Sequence, residues 1–326
     1  MEIDAWIWQF GKDYPGEVGN DDQRLPFASV YIKTNDGNSW QGQFDDHPAE
    51  ISGLEAVKVA RTTIYQPQGI GMMPWGVVQG VNRNKRDISA EEGKRAGQIA
   101  VAAAGAGEPA RYIVDLEPYY HGGPNNPQFW RNDLGAGPAH VQRFIEAFVA
   151  AGGQELWVAP DARTAHLPPV SFQTWADSPT VTAILPQVYF TDFRQPARVA
   201  LDHALITLAD YRVGPSRIRP VLPGNAEPAP LLDAITYSQA KGCTGVSFWR
   251  RGSFRVDSLQ AIAGLTNPWG PEPPREEVPR EETPREDAPR DDHLRSEIDD
   301  LLDEAAELGA RVQTLVTQAR RKNRVV

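Results

Sequence analysis

The sequence predicts an α/β fold, a (β/α)8 TIM-like barrel, followed by a Pro- and charge-rich linker and a C-terminal coiled-coil helix. Three observations carry this reading: eight short apolar runs, helical patterns between most of them, and an abrupt change of composition after Trp269. Strands separated by helices run parallel with right-handed crossovers, and eight such units close a sheet on itself. A doubly wound open sheet is the alternative on the same pattern. The expected boundaries are 1–270 for the barrel, 271–293 for the linker and 294–322 for the helix.

The apolar, β-branched and aromatic runs fall at 3–10, 28–34, 69–78, 111–116, 155–159, 181–189, 218–222 and 245–249. Helical patterns at 89–104, 138–151, 196–211 and 228–241 separate them. Pro138, Pro196 and Pro228 mark helix starts, because the first turn has no intrahelical use for the missing N–H. Ser89 and Glu92 are spaced as an S-x-x-E capping box. Cys243 is the one cysteine, which excludes an intrachain disulfide and reads as a small buried residue before a strand.

Charge divides unevenly along the chain. Residues 271–326 hold 15 Asp and Glu against 10 Lys and Arg, half of the formal net charge of −10 in about a sixth of the length. Pro274, Pro279, Pro284 and Pro289 recur every five residues among these charges, a composition that cannot build a core and favours an extended polyproline II spacer. Beyond it, Leu294, Ile298, Leu301, Ala305, Leu308, Val312, Leu315 and Ala319 alternate at spacings of four and three, a coiled-coil seam for a dimer or trimer. An amphipathic helix folding back on the barrel is the alternative.

The acidic balance argues against a nucleic-acid partner, since the only basic cluster is Arg320, Arg321, Lys322 and Arg324. No stretch approaches the ~20 apolar residues of a membrane span. The opening MEIDAWIWQF lacks the basic and apolar regions of a signal peptide, so the expectation is synthesis in the cytoplasm. Action on cell walls would then require release by lysis, carriage in a virus particle or a signal-independent route. There is no Gly-rich phosphate loop, and the six histidines are scattered without metal-ligand spacing, so no cofactor or metal is expected.

Asp115 and Glu117 carry the candidate chemistry. Two positions apart at the end of the fourth run, they share one strand face, roughly 6–7 Å apart. In a (β/α)8 barrel that end is where active sites lie. The bland alternative makes Asp115 an internal hydrogen-bond acceptor and Glu117 the partner of an Arg. By the same alternation Trp6, Trp8, Trp75, Tyr119, Asp161, Gln187, Tyr189, Asn225 and Trp249 are expected at the mouth. Indole and phenol faces stack on pyranose rings while amides and carboxylates bind hydroxyls, an inventory suited to a carbohydrate.

These residues resemble barrel glycoside hydrolases acting on N-acetylated polysaccharides. The opening EIDAW with VDLE is similar to family 25 lysozymes, which implies roles for Asp4, Asp115 and Glu117. The runs ILPQVYF, PVLPG and GVSFW are similar to strands six to eight of family 18 plant-type chitinases, which implies that Gln187 and Tyr189 hold an acetamido group. Ala110 and Ile113 stand where the D-x-x-D-x-D-x-E motif of that family has its first two aspartates. The resemblance implies that Glu117 protonates the glycosidic oxygen of a peptidoglycan- or chitin-type polymer. Asp115 then assists, with the 2-acetamido oxygen as internal nucleophile. A non-catalytic oligomeric or carbohydrate-binding component of a virion or surface assembly is the competing expectation.

The seam predicts self-association through residues 294–319. Light scattering is expected to find the full chain oligomeric and residues 1–270 monomeric. Leu301→Asp with Leu308→Asp should abolish the association. A full chain that is monomeric at tens of micromolar contradicts this.

Overall fold

A computed structural model describes residues 3–8, 27–37, 39–41, 51–117, 130–161, 163 and 169–265. The chain divides into the units Met1–Pro271 and Glu272–Val326, and every described residue belongs to the first. The linker, the heptad segment with its expected self-association, and Tyr119 lie outside the described residues.

The strands are β1 (Ile3–Ile7), β2 (Ser29–Asp36), β3 (Ser39–Trp40), β4 (Gly71–Val77), β5 (Arg111–Leu116), β6 (Glu155–Pro160), β7 (Val181–Ile184), β8 (Val221–Pro223) and β9 (Val246–Trp249). All but the two-residue β3, which pairs antiparallel with β2, form one parallel sheet in the order β7-β6-β5-β4-β2-β1-β9-β8. This curled sheet with helices around it is an α/β TIM-like fold, and each of its eight parallel strands overlaps an expected run, with β2, β6 and β8 extending past theirs to Asp36, Pro160 and Pro223.

The runs 181–189 and 218–222 are both interrupted, and prolines are the reason. Pro186 and Pro220 have no N–H for the ladder, so β7 stops at Ile184 and β8 begins at Val221. Parallel bridges Ile184↔Ile218 and Gln187↔Val221 still join the two ends of the sheet. The bonds there are Arg219 N–H to Ile184 O at 2.9 Å, Val221 N–H to Pro186 O at 2.8 Å and Val188 N–H to Val221 O at 2.8 Å.

The helices are α1 (Leu54–Val59), α2 (Ser89–Ala103), α3 (Pro138–Ala150), α4 (Pro169–Asp177), α5 (Ala197–Ala209), α6 (Pro228–Ala240) and α7 (Val256–Ala263). Of these α2, α3, α5 and α6 are the four helical patterns of the sequence. A π-helical turn at Ala60–Tyr65 continues α1. No described helix is long and apolar enough to cross a membrane. Cys243 is buried before β9, as expected, and burial pushes its thiol up to about 11.

The core has two shells. Inside the barrel Trp6, Tyr31, Trp75, Ile113, Trp157 and Leu185 form one cluster; Val30, Val114, Phe144, Phe148 and Trp175 belong to a larger one between sheet and helices. That alternation along β5 is the period of two, with Ile113 and Asp115 inward and Val114 outward.

The expected capping box is not formed. Asp87 Oδ1 accepts the Ser89 N–H at 3.0 Å, and Ile88 rather than Ser89 precedes the first turn. Glu92 reaches instead to the turn after β4, where its carboxyl accepts the N–H groups of Gln79 (3.0 Å) and Gly80 (2.9 Å). Burial pushes Glu92 up to about 8 despite those two donors.

Helices α2 and α3 approach at glycines. A Cβ at Gly93 would lie 2.1 Å from Phe144 O, and one at Gly97 2.5 Å from Phe148 O. Gly93→Ala is therefore expected to destabilise the protein by about 1–3 kcal/mol through overpacking, although Ala favours an isolated helix by ~1 kcal/mol. A denaturation midpoint equal to or above that of the wild type refutes this.

Candidate functional site

The carboxyl end of the sheet opens into a cleft of about 440 Å³ lined by Trp6, Asp115, Glu117, Asp161, Arg163, Gln187, Tyr189, Asp192, Phe193 and Trp249. A larger groove of about 870 Å³ lies elsewhere, between α3 and α4. It holds no constellation of titratable groups comparable to the cleft, so its size does not make it the candidate site.

Asp115 is the last inward residue of β5, paired in register with Val77 and Ala159, and Glu117 follows directly after the strand. Both aim at one amide: Gln187 Nε2 donates to Asp115 Oδ1 at 3.1 Å and to Glu117 Oε1 at 2.8 Å. The backbone holds that amide in place. Gln187 N–H donates to Pro160 O at 2.9 Å, and the residue bridges to Val221.

Burial, then the neighbouring Glu117 charge, raises Asp115 well above the usual carboxylate range. Glu117 is raised as well, mainly by burial and further by Asp161, against the Gln187 hydrogen bond and the charges of Lys33 and Arg163. Burial together with a like-charged neighbour disfavours ionising both carboxyls of such a pair, so the two titrate together rather than as separate groups. Tyr189 stays a phenol for the same reasons, burial first and the Glu117 and Asp115 charges next.

The remaining expected residues divide. Trp6, Asp161, Gln187, Tyr189 and Trp249 line the cleft. Trp75 is fully buried below it, its indole N–H shared between Ile7 O and Tyr31 O at 3.1 Å each and its ring 5.2 Å from Trp6 and 5.7 Å from Trp249. Its bulk makes floor, not lining. Trp8 flanks Trp249 at 6.4 Å with Arg250 over its ring, outside the lining. Asn225 is exposed beyond β8, its amide oxygen 3.5 Å from Thr191 Oγ1.

Asp4 is not at the mouth. It sits near the start of β1, three residues before the strand's carboxyl end, where it accepts the Tyr31 hydroxyl at 2.5 Å and pairs with Arg219. Strand rise places it about 10 Å from that end, so the family 25 arrangement of Asp4 with Asp115 and Glu117 is not assembled. Asp257 is exposed in the first turn of α7, paired with Arg255.

Several groups at or near the cleft escaped the sequence reading. Arg163 grips Asp161, Nε to Oδ1 at 2.9 Å and Nη2 to Oδ2 at 2.5 Å, and stacks on the Phe193 ring at 4.3 Å. Lys33 and Asp36 are buried on β2 with 2.8 Å between their charges. Alternation from Tyr31 points Lys33 inward, a signal present in the sequence. Arg163, Asp192 and Phe193 lie beyond strand ends, where no period applies. Among the described residues no cluster of His, Cys, Asp and Glu is arranged to hold a metal ion.

No protein-family model and no curated protein sequence matches this chain. Solved structures do. A chitinase from Rhizomucor miehei superposes with a TM-score of 0.54 at 10% identity, over 82% of this chain and 100% of that one. A chitinase from Chromobacterium violaceum gives 0.52 at 13% identity over 82% and 99%. A chitinase-like agglutinin from Robinia pseudoacacia gives 0.53 at 10% identity over 82% and 99%. At such identities the likeness is one of fold, a TIM-like fold shared with chitinases and other glycoside hydrolases.

The raised acids make stability depend on pH with a definite sign. Protons bind more tightly to the folded pair than to the unfolded chain. The pair's contribution is thus whole below the ordinary carboxylate range and is lost as pH rises through the folded values. Asp115→Asn with Glu117→Gln is expected to match the wild type near pH 4 and to melt higher at pH 8. Each tenfold change in proton affinity is worth about 1.4 kcal/mol, or about 2–4 °C. Equal melting temperatures at pH 8 would contradict the burial of two interacting carboxyls.

Proposed function

We propose that this protein is a glycoside hydrolase acting on an N-acetylated polysaccharide of the peptidoglycan or chitin type. Glu117 is the general acid and Asp115 assists it. The observation that carries the reading is the convergence of two carboxyls of raised proton affinity on one amide inside an aromatic-lined cleft. Glu117 adjoins open space, while Asp115 lies deeper on the strand. The outer carboxyl therefore delivers its proton to the glycosidic oxygen, and the inner one takes charge beside it. With Gln187 and Tyr189 holding the acetamido group, its oxygen attacks the anomeric carbon as the leaving group departs. Asp115 stabilises the positive charge that results. Trp6 and Trp249 supply faces for the sugar ring.

A second reading has its own support. Ala110 and Ile113 remove two carboxyls from the strand that carries the pair, and Ile113 is buried directly beneath Asp115. A carbohydrate-binding barrel without turnover, displayed as an oligomer through residues 294–319 in a virion or surface assembly, accommodates those replacements. The agglutinin shares the fold.

Glu117→Gln decides between them. In the hydrolase, release of reducing ends from chitin or peptidoglycan falls by at least about 10²-fold, the contribution expected of a general acid, while oligosaccharide affinity and melting temperature hold. Wild-type protein that binds either polymer but cleaves neither establishes the binding module instead.

A further inference from the structure

Strand β2 carries an irregularity beside the cleft. Its register against β4 runs regularly from Ser29↔Gly71 to Lys33↔Trp75, then jumps to Asn35↔Gly76, leaving Thr34 as an extra residue. The Thr34 hydroxyl lies 3.1 Å from Trp75 O and 2.7 Å from Asn35 Oδ1, and Tyr112 OH donates to the same Asn35 oxygen at 2.7 Å. In a regular strand, residues three apart point to opposite faces. The bulge shortens that count by one, so Lys33 and Asp36 share the inner face and meet at 2.8 Å. Both are buried, and the ammonium also lies 5.3 Å from the Trp75 ring and 6.0 Å from that of Trp8.

An ammonium kept in the interior of a barrel needs a closely paired opposite charge and partners for its remaining N–H groups. The groups facing the Asp115–Glu117 pair are Lys33 and Asp36 from β2, Asp161 and Arg163 from beyond β6, and Tyr189 and Asp192 from beyond β7. Lys33 acts on both members of the pair, and it is the leading positive charge on Asp115. Arg163 is already committed to Asp161 and to the Phe193 ring.

We propose that Lys33 is a positioning residue of this site, its ammonium locked to Asp36 across the bulge as the fixed counter-charge to the carboxyl pair Asp115 and Glu117. The strand irregularity thereby has a use: it turns Asp36 to the inner face, where its carboxylate holds the inward ammonium of Lys33 in place. The meaning of this charge for catalysis rests on the glycosidase reading, but the charge itself can be measured without turnover.

The test follows the carboxyl carbons of Asp115 and Glu117 by 13C NMR across pH in the full chain, wild type against Lys33→Met, Lys33→Arg and Asp36→Asn. Removing the cation is expected to move the titration of the pair up by roughly one pH unit. Lys33→Arg should hold it near the wild-type position, and Asp36→Asn, which deletes a negative neighbour of Asp115, should move it down. A packing defect alone has no reason to give opposite signs. A folded Lys33→Met variant with an unmoved titration overturns the assignment, as does a downward shift. If Lys33→Met does not fold, Asp36→Asn decides, and an unchanged or upward titration there overturns it. Wild-type protein inert on chitin and peptidoglycan that still shows the opposite shifts retires the glycosidase reading and leaves Lys33 as the counter-charge.

Discussion

Closure of the sheet at the 184–188 and 218–221 seam is the constraint on which the site depends. Pro186 and Pro220 remove two ladder donors there, and the remaining bonds are few. Gln187 is held from both sides, through its N–H to Pro160 O and its bridge to Val221. Its side chain is thereby fixed over the cleft, where one amide meets two carboxyls. A seam displaced by one residue would turn Gln187 outward, since successive side chains alternate between faces. The carboxyls would then face each other with no donor between them. Backbone closure and site electrostatics are thus the same interaction seen at two scales.

Below the carboxyls the barrel is filled by aromatic side chains. The indoles of Trp6, Trp75 and Trp249 pack edge to face at 5.2–6.0 Å, and Tyr31 and Trp157 continue the stack at 6.1 Å. These rings cover the carboxyls from beneath, and burial is the largest influence on both. At the opposite pole Asp4, Arg219 and Tyr31 form a separate polar cluster, with the guanidinium 4.8 Å from the Trp157 ring. Such a buried pair adds little net stability over an apolar replacement, but it fills space that the taper of the strands leaves between bulky rings. The barrel therefore holds two charged ends separated by an apolar middle: the end with Asp4 and Tyr31 borders a cavity of about 230 Å³, and the carboxyl end opens into the cleft of about 440 Å³ that carries the paired acids.

Sequence reading went furthest where periodicity is strict. β5 has its expected bounds, and α2, α3 and α6 begin where expected and end one residue early. The strand runs around Pro186 and Pro220 were read too long because an apolar run does not reveal which of its N–H groups must bond. Ser89 and Glu92 matched a capping box by spacing, yet the nearer demand came from the unpaired N–H groups of Gln79 and Gly80, visible only once the turn after β4 is packed on α2. Asp4 enters through the resemblance of EIDAW to family 25 lysozymes, and a short motif does not state the height of a residue along its strand. Trp75 shows the same limit, being inward as expected and yet one layer too deep.

The order of the main strands and helices, the inward face of an uninterrupted strand such as β5 and the adjacency of Asp115 to Glu117 were determined by the sequence alone, because these depend on local periods. Tertiary structure decided which inward residues share a layer. It brought Gln187 to Asp115 across 72 residues of sequence, and through one extra residue at Thr34 it set Lys33 beside Asp36. The physical reason is that register between strands is set by hydrogen bonds and side-chain volumes from distant segments. A one-residue difference in register shifts a side chain by ~3.3 Å and reverses its face.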